Sequence, residues 1–197
     1  GLSSKVKLNT SVKRATPIAN DRWEVELSTG EVREFDGLLI ATGTNWHPNI
    51  PDFAGANEFT GTIRHSVDFR ESADLKGKRV LVIGAGNSGV DIACDAARNA
   101  QLAFMSVRRG YRYIPKHIFG LPTDALLSGL VDPPKGVAIG GDANKLIDTL
   151  TGDLTRLGLP APDHDVLTSH PIMNTQVLHH LAHGDLIAKP DVARITN

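Results

Sequence analysis

The stretch from Arg79 to Val107 restricts the fold more than any other part of this chain. Arg79-Val80-Leu81-Val82-Ile83 is an apolar, β-branched run with the composition of a strand. Gly84-Ala85-Gly86-Asn87-Ser88-Gly89 follows without a gap, and from Val90 onward the apolar positions Val90, Ile92, Ala93, Ala96, Ala97 and Ala100 take up a helical period. Leu102 to Val107 reads as a second strand. Two strands joined by a helix within about 30 residues make a βαβ unit, whose strands lie parallel. The expected class is therefore α/β and Rossmann-like, a parallel sheet with flanking helices, to which the first forty or so residues add a β-hairpin or meander.

Three glycines at this spacing carry little weight alone, but the strand before, the helix after and the second strand at the right distance give them meaning. Gly84 permits the tight turn, Gly86 lets the backbone approach a pyrophosphate, and Gly89 allows close packing of helix on strand. The N–H groups at Asn87, Ser88 and Gly89, with the positive end of the helix dipole, then face the phosphates. The competing reading is a glycine-rich turn that binds nothing. At the end of the second strand an acidic residue would favour NAD or FAD by bonding a ribose 2′-hydroxyl. This chain places Ser106, Arg108 and Arg109 there, with Lys116 nearby. Two guanidiniums suit a 2′-phosphate, so NADP is the expected dinucleotide unless both are ordinary solvated surface residues.

Elsewhere the signals are weaker. Strands are expected at 5–9, 22–28 and 31–41. Trp23, Val25 and Leu27 alternate with polar residues, whereas Leu38-Leu39-Ile40-Ala41 is a continuous run that suits a strand covered on both faces. Residues 110–140 read as a long excursion with one short helix near 123–130. Helices are expected over 142–158 and from Met173 to Ala182, and strand starts at Leu186–Lys189 and Val192–Ile195. With 21 Lys+Arg against 22 Asp+Glu the chain lacks the basic balance of a nucleic-acid binder. One cysteine, Cys94, excludes a disulfide framework and a CxxC redox pair, and on the apolar side of the cofactor helix it reads as a buried small hydrophobe. His164, His170, His179, His180 and His183 invite a metal reading, but no HExxH is present and no metal is expected. No apolar run approaches the ~20 residues of a membrane span and no signal peptide is evident, so a cytoplasmic setting is expected.

The residues also resemble a known family. Phe59-Thr60-Gly61-Thr62-Ile63-Arg64-His65-Ser66-Val67-Asp68-Phe69 fits the fingerprint FxGxxxHxxx(F/Y) of the flavin-containing monooxygenases, the single-component group that uses FAD and NADPH. Gly84 to Ala93 looks like that family's NADPH loop and helix, and Asp36 to Gly43 is similar to the stretch where its chain leaves the FAD domain. Ser169-His170-Pro171, Asn174, His183-Gly184 and Lys189-Pro190-Asp191-Val192 resemble the family's segment beyond the NADPH site. The resemblance implies an FAD/NAD(P)-binding fold in an oxidoreductase that reduces flavin with NADPH, activates O2 as a C4a-hydroperoxyflavin and oxygenates a soft nucleophile. Phe69, where Baeyer–Villiger members usually carry Trp, points to the N- and S-oxygenating branch.

Departures from the family pattern shape the rest of the expectation. Gly84–Gly89 is the one GxGxxG in the chain, and the first residue is Gly1, so an internal segment of a longer protein is expected. On that reading residues 1–43 are the end of an FAD-binding domain, 44–78 a linker with the fingerprint, and 79–197 an NADPH-binding domain that is incomplete at its end. The segment alone would keep NADP, lack FAD and be inactive. Cofactor-binding candidates are Gly84, Gly86, Asn87, Ser88, Gly89, Arg108, Arg109, Thr44 and His65; none is assigned as catalytic. His65 has two readings, a bridge between cofactor domains or a residue satisfying a turn. Trp46 and His47 either face the nicotinamide end or, for Trp46, anchor packing. A small-molecule nucleophile and O2 are the expected partners of the parent, and an exposed sheet edge suggests that the hairpin of 22–41 covers it or that the chain forms a homodimer. A Baeyer–Villiger enzyme and a non-catalytic NADP-binding redox sensor are the alternatives; a flavin disulfide reductase lacks its CxxC.

Overall fold

Alternating polar and apolar residues build the first part of the chain. The computed structural model describes residues 2–135, 142–166 and 168–197, and the chain divides into two compact units, Gly1–His47 and Pro48–Asn197. In the first, β1 (Val12–Ile18), β2 (Arg22–Leu27) and β3 (Val32–Phe35) form an antiparallel sheet in that order. Ala19, Asn20 and Asp21 make the loop between the paired Ile18 and Arg22, with Asn20 and Asp21 at positive φ, a conformation that Asn and Asp adopt more readily than other non-glycine residues. Val25 and Leu27 on β2 are buried, and Arg22 spans Glu34 and Asp36 beside them.

Two strand expectations fail in this unit. Residues 5–9 form no strand: a 3-10 turn occupies Leu2–Lys5, and β1 begins only at Val12. Leu38–Ala41 forms none either, with Leu39 and Ile40 exposed by 95% and 81%. A continuous apolar run becomes a buried strand only where neighbours pair its backbone and cover both faces. Among the described residues no strand pairs with it.

The second unit is organised by a parallel sheet in the order β4 (Arg79–Ile83), β5 (Leu102–Ser106), β8 (Ile187–Lys189). Helix α1 (Asn87–Asn99) joins β4 to β5, whose register runs from Arg79↔Leu102 to Ile83↔Ser106, so the expected βαβ unit is present. Val90, Ala93, Cys94 and Ala96 of α1 share one core with Val82, Ala103 and Met105 of the sheet. Val177 and Leu181 of α4 (Gln176–His183) join it.

Between β5 and β8 the chain makes a long excursion. It contains the small hairpin β6 (His117–Ile118) and β7 (Leu121–Pro122), then α2 (Thr123–Leu127) and α3 (Ala143–Thr151). Ile114, Ile118, Leu126, Ile147 and Val166 form its own core. The expected helix over 142–158 breaks at Gly152, where φ is +70°, and a separate 3-10 turn spans Leu154–Leu157. Each piece has its own cap: the Asp142 carboxylate accepts from Asn144 N and that of Asp153 from Thr155 N. The part of the expected excursion at 136–140 lies outside the described residues. Val192–Ile195 starts no strand; Ile195 N donates instead to Ala54 O at 2.8 Å, and Arg194 pairs with Glu58 at 2.8 Å. Among the described residues no helix is long and apolar enough to cross a membrane.

Candidate dinucleotide site

At the end of β4 the backbone turns at Gly84, where φ is +100°, a conformation that glycine adopts without the Cβ penalty. Gly84 N donates to Ser106 O at 3.0 Å, which ties the loop to the end of β5. The first bond of α1 follows, from Val90 N to Gly86 O at 2.9 Å. Among the described residues no side chain caps this helix, and its first turn holds no acid, so its positive end is left for an anion.

The other two glycines of the loop serve different ends. A Cβ on Gly89 would lie 2.3 Å from Gly84 O, so this position is closed by the protein's own packing of helix on strand. A Cβ on Gly86 would meet none of the described residues within 4 Å. Its bareness serves no internal contact and leaves the backbone approachable from outside. Ser88 beside it is exposed.

Asn87 is placed at the helix start as expected, but its side chain faces the protein. Nδ2 donates to Pro171 O at 2.9 Å, and Oδ1 accepts from Met173 N at 2.8 Å. One turn further along α1, Asp91 accepts from the Asn174 amide at 2.6 Å. The segment 171–174 is thereby laid against the start of α1, which no local pattern in the sequence announced.

The two arginines after β5 separate in role. Arg108 is exposed and makes no ion pair with the described residues, as does Lys116. Arg109 instead meets Asp163 with two nitrogens, Nη2 at 2.7 Å from Oδ1 and Nε at 3.1 Å from both oxygens. The Arg109 guanidinium, and then the His164 ring donating from Nδ1 at 2.7 Å, hold the Asp163 carboxyl at about 2 against an ordinary 3.8. A carboxyl depressed in this way stabilises the fold above its unfolded value, and that contribution is lost as the pH falls through about 2. Asp163 stands 54 positions from Arg109, and nothing in its neighbourhood in the sequence marked it.

The remaining candidates are placed less directly. His65 Nδ1 accepts from Val67 N at 3.1 Å and caps the turn Ser66–Asp68, which is its turn-satisfying role. Thr44 lies in the first unit, exposed and outside its strands. Trp46 is 74% exposed and its indole N–H donates to Thr42 O, so it anchors no core. Cys94 is buried, and loss of hydration pushes its thiol up from the ordinary value. The His183 Nδ1–H donates to His179 O at 2.9 Å and the two rings lie 4.1 Å apart at a tilt of 35°, while His180 Nδ1 lies 3.3 Å from Asp185.

Comparison with known proteins gives a consistent picture. A family model described as flavin-binding monooxygenase-like matches residues 3–197. Human flavin-containing monooxygenase 5 is 32% identical over 198 residues, covering 94% of this chain and 37% of its own. Indole-3-pyruvate monooxygenase YUCCA1 from Oryza sativa subsp. japonica is 37% identical over 109 residues, or 55% of this chain and 27% of that one. A crystal structure of OTEMO with FAD and NADP shares the fold at a TM-score of 0.60 and 22% identity, over 92% of this chain and 47% of that chain. The chain thus spans less than half the length of each.

Proposed function

Because this chain belongs to the flavin-binding monooxygenase-like family, we propose that its second unit is the NADP(H)-binding portion of an FAD-dependent monooxygenase. The observation that carries this reading is the loop Gly84–Gly89, which opens an uncapped helix at a glycine with open space before it. The pyrophosphate would be held by the N–H groups of Asn87, Ser88 and Gly89, and the 2′-phosphate by Arg108. Asn87 contributes through its backbone, while its side chain positions residues 171–173 beside the phosphates.

The described residues of the first unit offer FAD no equivalent cradle. Among the described residues the first unit offers three antiparallel strands and one 3-10 turn, with no α-helix whose start could take a second pyrophosphate. Residues 1–43 are read as the end of an FAD-binding domain, 44–78 as the segment carrying the fingerprint, and 79–197 as the NADPH domain. In the whole protein, bound FAD supplies the oxygen-activating chemistry, and NADPH the reducing equivalents. Phe69 closing the fingerprint favours oxygenation of a soft nitrogen or sulfur nucleophile. This chain by itself binds the dinucleotide without turnover.

Calorimetric titration with NADP and NAD, beside an absorbance scan for flavin, tests the reading. Gly86→Ala should keep the melting temperature, because its Cβ meets none of the described residues within 4 Å, yet weaken NADP binding at least about tenfold by blocking the phosphate approach. Gly89→Ala should lower the melting temperature itself. NADP affinity untouched by Gly86→Ala would remove the loop from the site, and stoichiometric bound flavin would overturn the division of cofactors.

A further inference from the structure

Discrimination between NADP and NAD is set by what stands at the end of the second strand: a cation grips the 2′-phosphate, and an acid accepts from the 2′-hydroxyl. In sequence this chain has only cations there, Arg108 and Arg109. In space it has an acid as well. Asp163 meets Arg109 with both carboxylate oxygens, and Arg109 lies over the Tyr111 ring at 5.8 Å.

This pairing is more than a chance meeting of two surface side chains, because the backbone on both sides is held. Gly110 and Pro162 form a parallel bridge so close that a Cβ on Gly110 would fall 1.7 Å from Ala161 O. Arg112, only 14% exposed, donates to His164 O while gripping Asp148 of α3 with Nε at 2.9 Å. Asn144 at the start of α3 donates to Asp165 at 2.8 Å and accepts from Val166 N at 2.8 Å. Residues 162–166 are therefore fastened on three sides, and Asp163 is delivered to Arg109 in a fixed position.

We infer that Asp163 is a specificity-determining residue that holds Arg109 out of 2′-phosphate recognition, leaving Arg108 as the reader and narrowing the preference for NADP over NAD. The inference rests on the dinucleotide reading above. The carboxylate fills the Nε–Nη2 edge of the Arg109 guanidinium and fixes its orientation, and the carboxylate charge repels an incoming dianion. Arg109 then serves the loop, and Arg108 the ligand.

The test is calorimetry of the 197-residue chain and three variants with NADP and with NAD, each at low and high salt. Arg108→Ala should weaken NADP at least about tenfold and leave NAD unchanged, the loss of a charge-assisted phosphate contact. Arg109→Ala should change NADP affinity by less than about twofold. Asp163→Asn keeps the shape of the side chain, frees Arg109 and should raise the NADP-to-NAD ratio about fivefold or more. Its NADP affinity should also fall more steeply with salt than that of the parent chain, because a second cation is engaged. An Arg109→Ala loss equal to that of Arg108→Ala, or an Asp163→Asn ratio and salt slope equal to the parent's, overturns the inference while the NADP reading stands. Absence of binding to either dinucleotide by every variant overturns both.

Discussion

Tyr113 illustrates how a single atom can be worth following. Its ring is 1% exposed in the main core, yet its hydroxyl has no hydrogen-bond partner among the described residues, and burial pushes its proton affinity well up. A buried donor left unmade costs about 1–3 kcal/mol. Tyr113→Phe should therefore leave the chain as stable or more stable by about 1 kcal/mol, read from urea unfolding; a loss of that size would reveal a partner for the hydroxyl. At the same scale the sequence offered Asn87 and Arg109 as cofactor-binding candidates, and it did not show what their side chains bond. Both side chains turn to segments 54 or more positions away, Pro171–Met173 and Asp163, and separation along the chain hides such pairings from any local pattern.

Among the elements, the parallel sheet is covered unequally. Val82, Ala103 and Met105 face α1 and are buried, whereas Leu81, Ile83, Leu102 and Ile187 on the other face are 39–46% exposed. Leu81 is in register with Phe104, and Phe104 with Ile187, so they share that open face. Met105→Ala should cost about 2–5 kcal/mol by opening a cavity beneath α1. Leu81→Lys should change stability by no more than about 0.5 kcal/mol. Denaturant midpoints compare the two directly; equal losses would show that the second face is covered in solution. The βαβ unit was readable because strand, loop and helix each had a local signature that agreed with the others. The apolar period over 142–158 outruns the helix because Leu146, Ile147, Leu150, Leu154 and Leu157 keep a helical spacing straight across Gly152, whose backbone leaves the helix there.

For the molecule as a whole, the division at His47/Pro48 allows a direct test of where binding resides. Of the cofactor-binding candidates only Thr44 precedes it, and every residue proposed to hold the phosphates lies beyond it. Residues 48–197 alone should fold and bind NADP within about twofold of the full chain, by the same calorimetry and a thermal melt. A much weaker shortened chain that still melts cooperatively would mean that the first unit completes the site. The family, the α/β class and the glycine loop were all present in the sequence by itself, because each rests on residues close together along the chain whose spacing the backbone geometry demands. Tertiary structure alone decided that Leu38–Ala41 pairs with no described strand, that Asn87 is a fastening, and that an acid faces Arg109. Those outcomes depend on which distant segments meet, and a strand's partners, a side chain's bonds and a cation's neutralisation are properties of the meeting and not of either segment.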